Sequence, residues 1–224
     1  MVVVIGAILA GSSSARTEDG VERPPVLICM ERNSDTLVIT RAQTLAKEMF
    51  DQIGVALVWS DLKHCPETPR PIVIRLSVDT PHEVLPRALA VSYPFEGVHI
   101  RVFYDRVRAV TPSCPLDVLL AHVLAHEISH MLEGTDWHSP GGMMKNRWDR
   151  NDFARMARQP LPFTDLDVQL IHWGLDARAD RPSGDQWPNG LRLTLRSLGV
   201  TPPAWGSAAG VYSTLLRTEL EIAP

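Results

Sequence analysis

Between Pro115 and Gly134 the chain carries a run that is apolar on nearly every side, with Leu116, Val118, Leu119, Leu120, Val123, Leu124, Ile128, Met131 and Leu132. Proline suits the opening of a helix and glycine its left-handed end, so the run reads as a single helix. A helix without a polar face has to be buried, which makes it the centre of a fold and not part of its surface. His122, His126, Glu127 and His130 are nevertheless set into it. Residues four apart share a helix face, so His126 and His130 can offer imidazole nitrogens to one metal ion while Glu127 leans over the same place as a general base. His122, one turn earlier, reads as packing or as support for that site. A core helix with merely hydrogen-bonded histidines is the plain alternative.

A catalytic zinc takes three protein ligands and keeps a fourth position for water, so one ligand is still to be found. Asp136, His138 and a distant carboxylate compete for the place. A distant glutamate is excluded from most of the chain, because no Glu occurs between Glu133 and Glu219. Asp149 and Asp152 suit the start of the next helix better. Neutral imidazole is the commoner zinc ligand, which favours His138 and leaves Asp136 as its rival.

With these residues the chain resembles the zincin metallopeptidases, and within them the metzincin branch, whose pattern is HExxHxxGxxH followed by a methionine-containing turn. The family's glycine falls at Glu133, one residue before Gly134, and its third-ligand position falls at Asp136. The run from His138 through Gly141, Gly142, Met143, Met144 and Lys145 to Trp148 resembles uncharacterised bacterial predicted peptidases with a longer His-to-His spacing. The resemblance implies a Met-turn in which Met144 packs beneath the metal, with Met143 as the second choice; a glycine-rich loop with two core methionines is the alternative. It also implies an α+β, zincin-like fold over residues 24–175, with a small twisted mixed sheet, a backing helix, the metal helix and a smaller, mainly helical lower half.

The segments before the metal helix fit that order. Val26 to Met30 is a short apolar run. A helix is expected from Thr40, capped through Gln43, with Ala42, Leu45, Ala46, Met49, Phe50 and Ile53 on one face and Gly54 as its stop. Strands are expected at Val55 to Trp59, at Ile72 to Val78 and, from its alternation, at Val98 to Tyr104. In such enzymes an edge strand above the metal pairs with extended substrate, and Val98, His99, Ile100 and Arg101 are the candidates for it, against an ordinary sheet strand. Downstream, Thr164 and Asp167 form a helix start with Phe163 able to pack on Val168, and the helix runs to about Trp173. His172 on it reads as structural or exposed.

What the resemblance implies chemically is hydrolysis of a peptide bond by zinc-activated water, with His126, His130 and His138 holding Zn²⁺ and Glu127 moving the proton. Tyr104 and Tyr212 are the tyrosines open to stabilising an oxyanion. Peptides or proteins are the expected substrates. A zinc-dependent amidase or deacylase acting on a non-protein substrate would use the same residues, and a catalytically silent zinc-binding module stays open.

The 224 residues are 45% hydrophobic with a formal charge of −4, enough for one good core and without the basic excess that nucleic acid requires. Val2 to Gly11 is apolar but too short to span a membrane, and Ser13-Ser14-Ala15 suits cleavage after Ala15, so residues 1–15 read as a signal peptide and the protein as secreted; a buried first strand is the alternative. Cys65 and Cys114, both beside prolines, are positioned to pair and to leave Cys29 free, although spacing does not decide the connectivity. Residues 176–224, with Pro182, Pro188, Pro202, Pro203, Trp187 and Trp205, read as an irregular extension with a short helix near Val211 to Leu220.

Overall fold

A computed structural model of the chain describes residues 23–68, 70–80, 87–110, 114–179 and 218–222. The expected signal segment at 1–15 and the tryptophans Trp187 and Trp205 lie outside them. The fold is α+β, and a mixed sheet of seven strands forms its backbone. Its strands are β1 (Val26–Met30), β2 (Leu57–Asp61), β3 (Ile72–Ser77), β4 (Ala88–Ser92), β5 (His99–Phe103), β6 (Arg147–Trp148) and β7 (Thr218–Ile222), in the spatial order β2-β1-β3-β5-β4-β7-β6.

The first four strands in that order run parallel, and β4 lies antiparallel to β5. Parallel strands are covered on both faces, which is why β1 reads Val-Leu-Ile-Cys-Met without a polar residue. Helix α1 (Thr36–Asp51) returns the chain from β1 to β2 and buries Ile39, Ala42, Ala46, Met49 and Phe50. It begins four residues before the expected Thr40. Its N-cap Asp35 makes no side-chain capping bond, because the Asp35 carboxylate instead accepts the Tyr104 hydroxyl at 2.8 Å. The second strand is correspondingly shifted, to Leu57–Asp61, and Tyr104 opens a short helix α2 (Tyr104–Ala109) instead of ending a strand.

Helix α3 (Leu116–Glu133) is the centre expected of it. Every residue from Leu119 to Glu133 is buried, and it packs against α1 and lies along β4 and β5. Each large aliphatic side chain removed from water there contributes roughly 1.5–3 kcal/mol, so this helix dominates the core. Two further helices, α4 (Arg150–Met156) and α5 (Asp165–Ala179), follow. Both start on capping boxes, Asp149 with Asp152 and Thr164 with Asp167. The second continues past the expected Trp173 and crosses α3 so closely that a Cβ on Gly174 would stand 1.8 Å from the Leu132 carbonyl oxygen.

Three expectations are corrected here. Strand β5 is paired on both sides, to β3 and to β4, so Val98, His99, Ile100 and Arg101 are not an edge open to a substrate. The disulfide joins Cys29 to Cys65, with Cα atoms 5.6 Å apart, and it is Cys114 that stays free and buried. The physical reason is register: β1 and β2 lie side by side with Cys29 opposite Ser60, and the 3₁₀ turn Leu62–His64 brings Cys65 back over it. The helix expected near Val211 to Leu220 is replaced, at its described end, by strand β7. No helix among the described residues is long and apolar enough to cross a membrane.

Candidate metal centre

The glycine that ends α3 also shapes the site. Gly134 adopts φ 64° and ψ 30°, and its amide caps the His130 carbonyl at 2.9 Å. That left-handed residue turns the chain back, so the Thr135 carbonyl accepts a hydrogen bond from His130 Nδ1 at 3.1 Å. Glu133 is the last helical residue and not the turn. The helix therefore runs one residue further than the HExxHxxGxxH spacing assumes, and the chain reaches the metal face again at His138 and not at Asp136.

The atoms that come together are those of His126, His130 and His138, whose ligating nitrogens all lie within 4.8 Å of one another. The three rings form a triangle with centroid separations of 4.7 Å, 5.3 Å and 4.7 Å. This group can hold a metal ion. Asp136 is not a member; its backbone carbonyl instead holds the His138 ring. Asp149 and Asp152 cap α4 and bind Lys145.

The protonation state follows from the partners. His126 Nδ1 donates to the Met143 carbonyl at 2.9 Å and His130 Nδ1 donates to Thr135, so each Nε2 is a bare lone pair. Those two Nε2 atoms stand 3.1 Å apart. His138 Nε2 is buried without a hydrogen-bond partner among the described residues. Three lone pairs thus converge on one point, a repulsive arrangement unless a cation lies between them. Two nitrogens bound to a tetrahedral zinc at ~2.0–2.1 Å would stand about 3.3 Å apart, a spacing the His126 and His130 Nε2 atoms match, with the His138 ligand atom within 4.8 Å of both. Burial pushes the His126 imidazole down to about 3, and the neighbouring His138 adds to the effect. Burial likewise pushes His138 down to about 4 and His130 well below its ordinary value. All three are neutral at physiological pH, the form a metal binds.

Glu127, next to His126 on the same helix, is fully buried. So is Glu133, whose carboxyl is held well above its ordinary range by burial and then by the negative charge of Asp167.

The loop after His138 is fixed by contacts that local spacing does not announce. The Ser139 amide donates to the Met144 carbonyl at 2.9 Å, and the Ser139 hydroxyl donates to Asp167. Asp167 in turn caps α5 by accepting the Thr164 amide at 2.7 Å. One buried carboxylate thus ties the residue beside His138 to the start of a helix. Met143 and Met144 are both fully buried, and the main chain of Met143 bridges the site: its carbonyl accepts from His126 and its amide donates to Pro162 at 2.8 Å. Trp148, also fully buried, stands edge-on to His126 at 5.6 Å and to His122 at 6.1 Å.

The remaining candidates have structural partners. His122 Nδ1 donates to the Val118 carbonyl at 2.7 Å while its Nε2 accepts the Leu161 amide at 3.1 Å. His172 donates to the Ile53 carbonyl and accepts from Arg23. Tyr104 is committed to Asp35, and Tyr212 lies outside the described residues. Reasoning from sequence missed Trp148, Ser139 and Asp167 as parts of the site, because the contacts through which they act, Ser139 with Asp167 and Trp148 with His126, join segments distant in sequence. Comparison with known proteins finds no family model that matches the chain and no curated protein that matches it.

Proposed function

We propose that the chain is a zinc-dependent metallopeptidase of the zincin type. The observation that carries this reading is the convergence of three neutral imidazoles, His126, His130 and His138, beside the buried carboxylate-bearing residue Glu127 on one helix. Converging imidazole nitrogens of that kind are costly to bury without a ligand, since an unmatched atom such as His138 Nε2 loses its water.

Zinc supplies Lewis acidity at such a site, lowering the pKa of water and polarising a carbonyl. The chain's own residues do the rest. Met143 and Thr135 hold His126 and His130 in the tautomer whose Nε2 faces inward, and the Asp136 carbonyl does the same for His138. Glu127 accepts the proton of the attacking water and returns it to the departing amine. The buried walls, Trp148 among them, keep bulk water from weakening these charges. The Cys29–Cys65 disulfide supports the exported location expected from the N-terminal segment, because such bonds persist in oxidising compartments.

The test is zinc content together with hydrolysis of a peptide library by the wild type and four variants. Glu127→Gln should retain zinc and lose activity; His126→Ala and His138→Ala should lose zinc; Asp136→Ala should keep both. Full zinc loading with no turnover of any peptide would remove the peptidase reading, and loss of zinc from Asp136→Ala alone would reassign the third ligand.

A further inference from the structure

Strand β7 occupies an unusual place. It comes from the far end of the sequence and lies between β4 and β6, antiparallel to the first and parallel to the second. Ser92 pairs with Thr218, Val91 with Glu219 and Ala90 with Leu220 along one side, and Arg147 with Glu221 and Trp148 with Ile222 along the other. Among the described residues, β7 alone bridges the two flanking strands. Without it they would leave a slot one strand wide, lined by the unpaired main chain of β4.

That slot borders the metal centre. Trp148, which pairs with Ile222, is the residue whose ring stands 5.6 Å from His126, and β7 packs on α3 itself. Leu220 is wholly buried in the same core as Met143, Met144 and Trp148. An extended segment held by main-chain ladders on both sides, with the Leu220 side chain buried in the core that also holds Met143, Met144 and Trp148, is how a sheet edge receives a peptide.

We infer that the slot between β4 and β6 is the peptide-binding groove of the site and that Thr218–Ile222 is its resident occupant, holding the chain in a self-inhibited state. This rests on the metallopeptidase reading for its consequence, but the groove itself is a binding property. The peptides it takes are extended, run antiparallel to β4 and place an apolar residue where Leu220 lies. A tethered occupant acts at a local concentration on the order of mM, so a free peptide of ordinary affinity competes poorly until β7 is displaced.

The experiment uses the full chain carrying Leu220→Asp, which puts a charge in the buried position, or Glu219→Pro, which breaks the strand. A fluorescein-labelled peptide of residues 214–224 is titrated by anisotropy on the Glu127→Gln background, and hydrolysis is followed in chains that keep Glu127. Both variants are expected to bind the peptide at least tenfold more tightly than the chain with β7 intact, and to gain a similar factor in kcat/KM. Equal peptide binding by the intact chain and by folded variants overturns the proposal. Amide exchange on the unaltered chain is an independent check, since β4 amides at 88–92 should exchange slowly, and fast exchange there overturns the proposal even if both variants fail to fold. Tighter binding without any hydrolysis upholds the groove and removes the peptidase reading. Hydrolysis by the intact chain equal to that of Leu220→Asp does the reverse.

Discussion

His126 and His130 turn their Nε2 atoms toward each other at 3.1 Å, and neither nitrogen carries a proton, because each ring spends its only N–H on a backbone carbonyl. Two lone pairs at that separation repel, and the arrangement is held by the packing of α3 and by the hydrogen bonds to the Met143 and Thr135 carbonyls. A metal ion converts the repulsion into two bonds. The protein should therefore be measurably more stable with zinc than after chelation. A ligand at a thousand times its Kd adds about 4 kcal/mol, so thermal unfolding should shift upward by several degrees on adding zinc to the stripped protein. The same addition should do little for His126→Ala. A melting curve indifferent to zinc in the wild type would leave the triangle without a metal role.

Ser139 and Asp167 carry the next prediction. The Ser139 hydroxyl donates to Asp167, and that carboxylate also caps α5. Removing the carboxylate strands the Thr164 amide and leaves the Ser139 hydroxyl its 3.3 Å contact with the Thr164 hydroxyl, so Asp167→Ala should lower stability by about 2–4 kcal/mol. Ser139→Ala leaves the helix cap in place. It should cost less stability yet still loosen His138, weakening zinc binding by roughly 10-fold. Competition against a chromogenic chelator measures this, and unchanged affinity in both variants would mean that His138 is positioned by something else.

Acid should act through His122. Its folded form is neutral, with Nδ1–H donated to Val118 and Nε2 accepting Leu161, and burial pushes the imidazole down to about 4 from its ordinary 6.5. The unfolded chain then binds a proton between those values that the folded chain does not. Stability from this group is fully present above 6.5 and is lost as pH falls toward 4, by on the order of 3 kcal/mol. His126, His130 and His138 shift in the same direction, so the wild type alone does not isolate the effect. The difference between wild type and His122→Gln does. Denaturant unfolding followed from about pH 7.5 down to about pH 4.5 should show a shallower acid slope for the variant, and parallel slopes would deny His122 the role.

Helix α3 was legible because everything that makes it is local: the apolar run, the Pro115 and Gly134 boundaries, and the His126, Glu127, His130 spacing. The starts of α4 and α5 were legible for the same reason, since a capping box is written within four residues. Sheet order was not. Ala88–Ser92 has no aromatic side chain and only one β-branched residue, so β4 carries little strand signal, and β7 is recognisable as a strand only beside it. With β4 unseen, β5 looked like the edge. The disulfide failed similarly: Cys29 meets Cys65 because of parallel register, a property of two strands that neither sequence segment holds alone. Asp136 and His138 were separable only by where α3 stops, and a one-residue difference at Gly134 decides it.

Gly141 and Gly142 look equivalent in sequence, and the structure separates them sharply. Gly142 has φ +76°, and a Cβ there would stand 2.4 Å from the Pro162 carbonyl oxygen, the same oxygen that accepts the Met143 amide. A Cβ on Gly141 would meet nothing within 4 Å. Alanine at 142 combines a left-handed backbone with a backbone collision, and should cost about 2–4 kcal/mol. The collision also pushes Met143 away from Pro162, and the Met143 carbonyl is what orients His126. Gly142→Ala should therefore lose zinc affinity as well as stability, while Gly141→Ala should change neither by more than about 0.5 kcal/mol. Paired unfolding and zinc-competition curves test this, and if the two alanine variants behave alike, the turn does not hold the histidine.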